Sequence, residues 1–89
     1  MKLVTYSVDK DTDYSGIKKL IKSQNSWACL SENTWLVGGS LTYLQLRDML
    51  VPFKPHNLVV IAFGYENWAT CDCSKEINEY LRNNVDYKW

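Results

Sequence analysis

Three aspartates stand at alternate positions, Asp9, Asp11 and Asp13, directly after a strand-like run at residues 2–8. Carboxylates at a strand end suit a hard divalent cation such as magnesium, which takes oxygen ligands. A cation held there would activate water and neutralise charge developing on a phosphate. The same residues have a plainer use. Carboxylates at a helix start accept from its free N–H groups and meet the positive end of its dipole. Asp11 and Asp13 fit that second role, because a helix is expected over about residues 13–24. Asp9 is left as the one carboxylate with a claim to chemistry, and no metal or catalytic residue is expected unless Asp9 supplies it.

Other reactive side chains are few. Cys71 and Cys73 form a Cys-x-Cys pair, and His56 is the single histidine. Together with Asp72 they would make a zinc set on paper, but the spacing is not that of a structural zinc site. Three cysteines without regular spacing are not a disulfide framework. Cys29 reads as a small buried residue in a strand. A lone histidine between prolines supports no Ser-His-Asp or Cys-His arrangement. Gly38-Gly39 is a turn, since no lysine-serine signature follows it.

Ten basic and ten acidic residues balance to a formal charge of zero. A grip on nucleic acid normally shows a basic excess. The basic cluster Lys18, Lys19 and Lys22 lies on one predicted helix and reads first as a solvated face. With Arg47 and Lys54 it would form a local patch for phosphates. Aromatic residues make up 13% of the chain, more than a small core needs. Tyr65 and Trp68, in a predicted loop, are the expected contact residues for a protein partner. Trp27 and Trp35 are expected in the core or an interface. No apolar run approaches the ~20 residues that span a bilayer. Met1 leads straight into a strand rather than a signal peptide, so a cytoplasmic location is expected.

The positions of these groups depend on the elements that carry them. Residues 2–8 read as a strand with Val4, Tyr6 and Val8 on one side and Leu3, Thr5 and Ser7 on the other. The helix that follows has Tyr14, Ile17, Leu20 and Ile21 as its apolar stripe. Trp27 to Leu30 and Thr34 to Val37 read as a hairpin. Ser40 is the expected cap of a helix over Leu41 to Leu50, burying Tyr43, Leu44, Met49 and Leu50. Asn57 to Phe63 reads as a central strand covered on both faces. Ser74 should cap a last helix to about Asn84, with Ile77, Tyr80 and Leu81 inward, followed by an aromatic tail ending at Trp89. The whole chain, residues 1–89, is one small domain. The order β-α-β-β-α-β, with an extra C-terminal helix, predicts an α+β ferredoxin-like sandwich. Its antiparallel sheet would have the first and third strands central and both first helices on one face. The other face would be open, and an open apolar face suits a dimer.

The first strand with Thr5-Tyr6, the later Tyr14, and "SWACLSENTWLV" over the hairpin resemble the small prokaryotic SinR-family proteins. These are relatives of the CRISPR-associated Cas two endoribonucleases. Trp27, Thr34, Trp35, Leu36 and Val37 carry the match, with "SLTYLQLRD" and "NLVVIAFG" in corresponding places. The resemblance spans about residues 2–64. It implies a homodimer of ferredoxin-like protomers, in which an aspartate ending the first strand meets its twin at the dimer axis. That pair would hold a divalent metal for phosphodiester cleavage. Ser7 occupies the corresponding position here, and a neutral hydroxyl is a poor ligand for magnesium. The expectation is therefore a non-catalytic Cas two-like homodimer that binds protein or nucleic acid, in a defence, toxin or phage counter-defence system. The alternative is a magnesium-dependent endonuclease with Asp9 as ligand, supported by Tyr6.

Overall fold

The computed structural model describes residues 1–9, 11–64 and 68–84. Four strands and three helices follow one another as β1 (Lys2–Ser7), α1 (Ser15–Lys22), β2 (Trp27–Ser31), β3 (Thr34–Val37), α2 (Tyr43–Leu50), β4 (His56–Ala62) and α3 (Lys75–Asn84). A single 3-10 turn, Val51–Phe53, joins α2 to the last strand. All strand pairs are antiparallel, in the order β2-β3-β1-β4. The protein is thus a small α+β structure, and this order is compatible with a ferredoxin-like plan.

Strand alternation sorts the side chains onto two faces. Val4 and Tyr6 of β1 and Trp35 and Val37 of β3 meet Ile17 and Ile21 of α1 and Leu46 and Leu50 of α2. Ile17 and Ile21 are four apart on their helix, as are Leu46 and Leu50, so each pair stacks on one side. Tyr14 closes this core beside Tyr6, their rings stacked with centroids 5.4 Å apart. The indole N–H of Trp35 donates to the Tyr6 hydroxyl at 3.2 Å, inside the core.

The second face carries Leu3, Leu36 and Ala28. It is only partly open, where the sequence suggests an open face. Helix α3 lies against it through Leu81, with Ile77, Tyr80, Trp68 and Phe63 packed around Leu36. Ser74 starts this helix by accepting the Ile77 N–H at 3.2 Å. The Tyr80 hydroxyl and the Ser26 hydroxyl are 2.7 Å apart, which ties α3 to the chain just before β2. The amphipathic stripe at residues 77, 80 and 81 is therefore spent on the domain itself.

Several other expectations need correction. The run at residues 57–63 is not a central strand; β4 is the sheet edge, and Val59 and Ile61 are 44% and 52% exposed. Its continuous apolar character hides an alternation in which only Leu58 and Val60 turn towards the helices. The cap of α2 is Thr42, not Ser40. Thr42 accepts the Gln45 N–H at 3.1 Å, and the Gln45 side chain accepts the Thr42 N–H at 2.9 Å, a reciprocal capping box. Starting the helix there sets its inward pair as Leu46 and Leu50, so Tyr43, Leu44 and Met49 face solvent. Cys29 is in a strand but exposed, because β2 is the other sheet edge. Val8 lies beyond β1 and is also exposed.

Tyr6→Phe removes the acceptor of a buried indole N–H while keeping the ring. It should lower unfolding stability by about 1–3 kcal/mol. Urea denaturation followed by tryptophan fluorescence measures this, and an unchanged midpoint would show that the bond contributes nothing.

Candidate functional site

The chemically distinctive corner of the molecule is where β1 ends beside the start of β4. Ser7 pairs with His56 across this edge. Between Thr5 and Ser7 the register slips, since β4 uses three steps where β1 uses two. The extra residue is Asn57, held at a left-handed φ of 51°. Asparagine tolerates that conformation better than most side chains, and such bulges re-aim side chains near strand ends. The Asn57 amide then donates to the Ser7 hydroxyl at 2.8 Å. Ser7 is thus held by a neighbour from the opposite strand. In sequence Asn57 reads as a plain strand start, and the bulge is missed. Its signal is the Pro-His-Asn context, which only the pairing register makes meaningful.

Asp9 follows in the loop, and both of its oxygens are in use. Oδ1 accepts the Asp11 N–H at 3.0 Å. Oδ2 accepts the Thr12 hydroxyl at 3.0 Å and the Tyr14 hydroxyl at 3.4 Å. The Asp9 N–H in turn donates to the Tyr14 hydroxyl at 3.0 Å. This is a closed Asx-type turn that joins the strand end to the helix start. The Thr12 hydroxyl, then the Asp11 and Thr12 amides and the nearby His56, hold the Asp9 carboxyl below its ordinary value of 3.8. The cap position of α1 falls to Tyr14, which makes no side-chain capping bond, and not to Asp11 or Asp13; Asp13, one residue before it, accepts the Ser15 N–H through Oδ1 at 2.9 Å. That bond likewise lowers its pKa. Asp11 contributes its N–H to the turn and not a cap.

A magnesium ion at this corner would have to displace these donors. The ion wants near-octahedral oxygen ligands, of which one or two are carboxylates. The carboxylate available at this corner is already committed to three donors, and the Ser7 hydroxyl already accepts from Asn57. Among the described residues, no three His, Cys, Asp or Glu side chains gather as a metal group. Tyr6, named with Asp9 as a support for catalysis, faces the other way. It is 2% exposed, beneath α1 and α2, with its hydroxyl bonded to Trp35. Burial pushes its phenol pKa up, away from any role as a proton donor or acceptor near neutrality.

The basic residues fall elsewhere. Lys18, Lys19 and Lys22 line one shallow depression along α1, together with Ser15 and Ser23. Lys22 also reaches over the hairpin, with its ammonium 5.6 Å from the Trp27 ring centre and 6.0 Å from that of Trp35. These distances are within cation–π range. The two indoles meet edge to face at 5.9 Å. Part of the lysine cluster is therefore engaged in covering the aromatic hairpin. Arg47, considered with it, is paired at the surface with Asp48 at 2.8 Å.

Trp68 is half-buried on the second sheet face, against the Leu36 and Leu81 cluster. It lines an apolar groove of about 490 Å³ with Leu30, Ile61, Cys71, Cys73 and Ile77. Both thiols are exposed at this rim and free. His56 sits at the far end of β4 from the groove and is absent from its lining. The expectations at Tyr65 and at Trp89 lie outside the described residues. Among the described residues no helix is long and apolar enough to cross a membrane.

No family model, no curated protein and no solved structure matches this protein.

The Asp9 turn carries a pH signature. A carboxyl held below its unfolded pKa stabilises the fold above that unfolded value, and the contribution is lost as pH falls through the folded one. The Asp9 side chain should titrate below 3.8 in the folded protein. The Thr12 and Tyr14 signals should move with it. Carbon-detected NMR titration reads both, and a midpoint at or above 3.8 would mean that the turn does not hold in solution.

Proposed function

We propose that this protein is a ferredoxin-like, Cas two-like homodimer without catalytic activity, acting by binding another protein. The observation that supports this most is the uncovered part of the second sheet face. Helix α3 covers part of it, and Leu30 on one edge strand and Val59 and Ile61 on the other remain 37%, 44% and 52% exposed. Val59 and Ile61 lie on an edge strand whose outer backbone groups are unpaired among the described residues. A long, exposed, apolar edge strand is a liability in a monomer and is usually covered. Pairing β4 with a second copy would cover Val59 and Ile61 and satisfy that edge. The aromatic residues beside it, and the zero net charge, favour a protein over a nucleic acid as the further partner. The setting in a prokaryotic defence, toxin or phage counter-defence system rests on the resemblance alone, and a fold does not by itself carry a function.

The endonuclease alternative would need Asp9 to leave its turn and meet its twin around magnesium. The hydrogen bonds to Asp11, Thr12 and Tyr14 stand against it. Wild type and Asp9→Ala should be equally inactive towards RNA and DNA with magnesium. Cleavage by wild type that is lost in Asp9→Ala would restore the enzyme reading.

Sedimentation equilibrium tests the dimer. Wild type should run at twice its monomer mass of 10.4 kDa at micromolar concentration. Ile61→Lys, which places a charge on the exposed edge, should weaken association about tenfold or more. Its circular dichroism should not change. A monomeric wild type, or an Ile61→Lys protein that dimerises equally well, removes the proposed interface.

A further inference from the structure

Lys2 is a charge in a place where charges are rarely left single. It shares the inward parity of Val4 and Tyr6 on β1 and is 4% exposed. Its ammonium donates to the carbonyl of Leu41 at 2.6 Å and to that of Gly39 at 3.2 Å. An ammonium has three N–H donors. The third finds no acceptor among the described residues. The ion pairs among those residues are Arg47 with Asp48 and Lys75 with Glu79, so no described carboxylate neutralises Lys2. A buried cation met only by neutral dipoles is costly, and such groups are normally paired.

Lys2 also lines a shallow, open pocket. Gly39 and Leu41, whose carbonyls it holds, line a pocket of about 530 Å³ together with Lys2 itself, Thr42, Tyr43 and Phe63. Helix α2 begins at this wall. In its first turn, the Gln45 N–H goes to the Thr42 hydroxyl and the Leu46 N–H to the Thr42 carbonyl. The N–H groups of Tyr43 and Leu44 find no acceptor among the described residues. Free N–H groups at a helix start carry partial positive charge. One full charge and one dipole end therefore meet at a pocket that also has apolar walls from Leu41, Tyr43 and Phe63. Desolvation lowers the Lys2 pKa, as an uncompensated buried ammonium should show.

We propose that this pocket binds a carboxylate carried on an apolar body, as an acidic side group or a C-terminal residue of a partner protein would present it. The carboxylate takes the third N–H of Lys2 and neutralises it, while the apolar part lies against Tyr43 and Phe63. The pocket opens at the start of α2, whereas the dimer surface proposed above is the β4 edge with Val59 and Ile61. The two ideas therefore fail separately, one on ligand binding and the other on sedimentation.

Three probes separate the chemistry. N-acetylphenylalanine offers a terminal carboxylate, the α-amide of N-acetylglutamate offers a γ-carboxylate like that of an acidic residue within a peptide, and N-acetylphenylalaninamide offers none. Binding is read from the amide resonances of Gly39, Thr42 and Tyr43. Either carboxylate should give a saturable shift, the tighter one identifying the source, and the neutral amide should give none. Lys2→Met and Lys2→Gln should each weaken carboxylate binding about tenfold or more, since a charge-assisted bond is lost. Their melting curves check that they fold. No shift with any probe, equal shifts with the neutral amide, or unchanged affinity in a folded Lys2 variant each overturns the proposal. So does inorganic phosphate binding as tightly as the carboxylates.

Discussion

The hydroxyl of Tyr6 is the joint on which the first core turns. Buried between the sheet and two helices, it accepts the indole N–H of Trp35 from the neighbouring strand. Its ring stacks on Tyr14, which stands at the start of α1. Tyr14 in turn reaches Asp9, and Trp35 meets Trp27 under the Lys22 ammonium. One series of contacts thus runs from the loop after β1, through the core, to the outer side of the hairpin. A buried indole N–H without an acceptor would be costly, so Tyr6 and Trp35 specify each other's position. The backbone supports the same joint. The Asn33 side chain donates to the Tyr6 carbonyl at 2.6 Å, which fastens the hairpin turn to β1.

This arrangement explains why the corner that looked chemical is occupied by structure. Tyr14 can serve both the core and the Asp9 turn because its ring is buried and its hydroxyl reaches the loop. The Asp9 carboxylate is the acceptor that shapes the loop after β1. Ser7 is similarly held, by the Asn57 side chain at a bulge in β4. The polar atoms at this strand end satisfy one another. The surfaces with unspent capacity lie elsewhere: the apolar edge of β4, and the pocket where Lys2 has a charge and no described counter-charge.

The two faces of the sheet have different fates. The face under α1 and α2 is filled by pairs of residues four apart on each helix, and their spacing shows plainly in the sequence. The opposite face is only partly covered, by a helix that docks through Leu81, Ile77 and Tyr80. That partial cover leaves the apolar groove at Trp68 and the exposed row on β4. A small domain with a surface of this kind gains from a partner, because its own core is limited.

Much of this is readable from residue order. The alternation of Val4 and Tyr6, the stripe of Ile17 and Ile21, the polar hairpin turn and the Ser74 cap are local patterns. Local patterns survive in a linear reading because they involve neighbours along the sequence. The expected cap of α2 falls two residues early because Ser40 and Thr42 are both good caps, and only the reciprocal bond with Gln45 distinguishes them. Exposure of β4 escapes the sequence because an apolar run does not say which strands flank it; pairing on one side only is decided by the sheet order. The fate of Asp9 depends on Tyr14 swinging its hydroxyl back to the loop, and that of Lys2 on a loop folding over it 37 to 39 residues away. By itself, then, the sequence determined the elements, their order and the inward sides of the first strand and helix, since periodicity and capping act within a few residues. Tertiary structure alone decided which carboxylate is spent, which strand is an edge and which buried charge finds no counter-charge among the described residues, because those outcomes are set by groups distant in sequence that packing brings into contact.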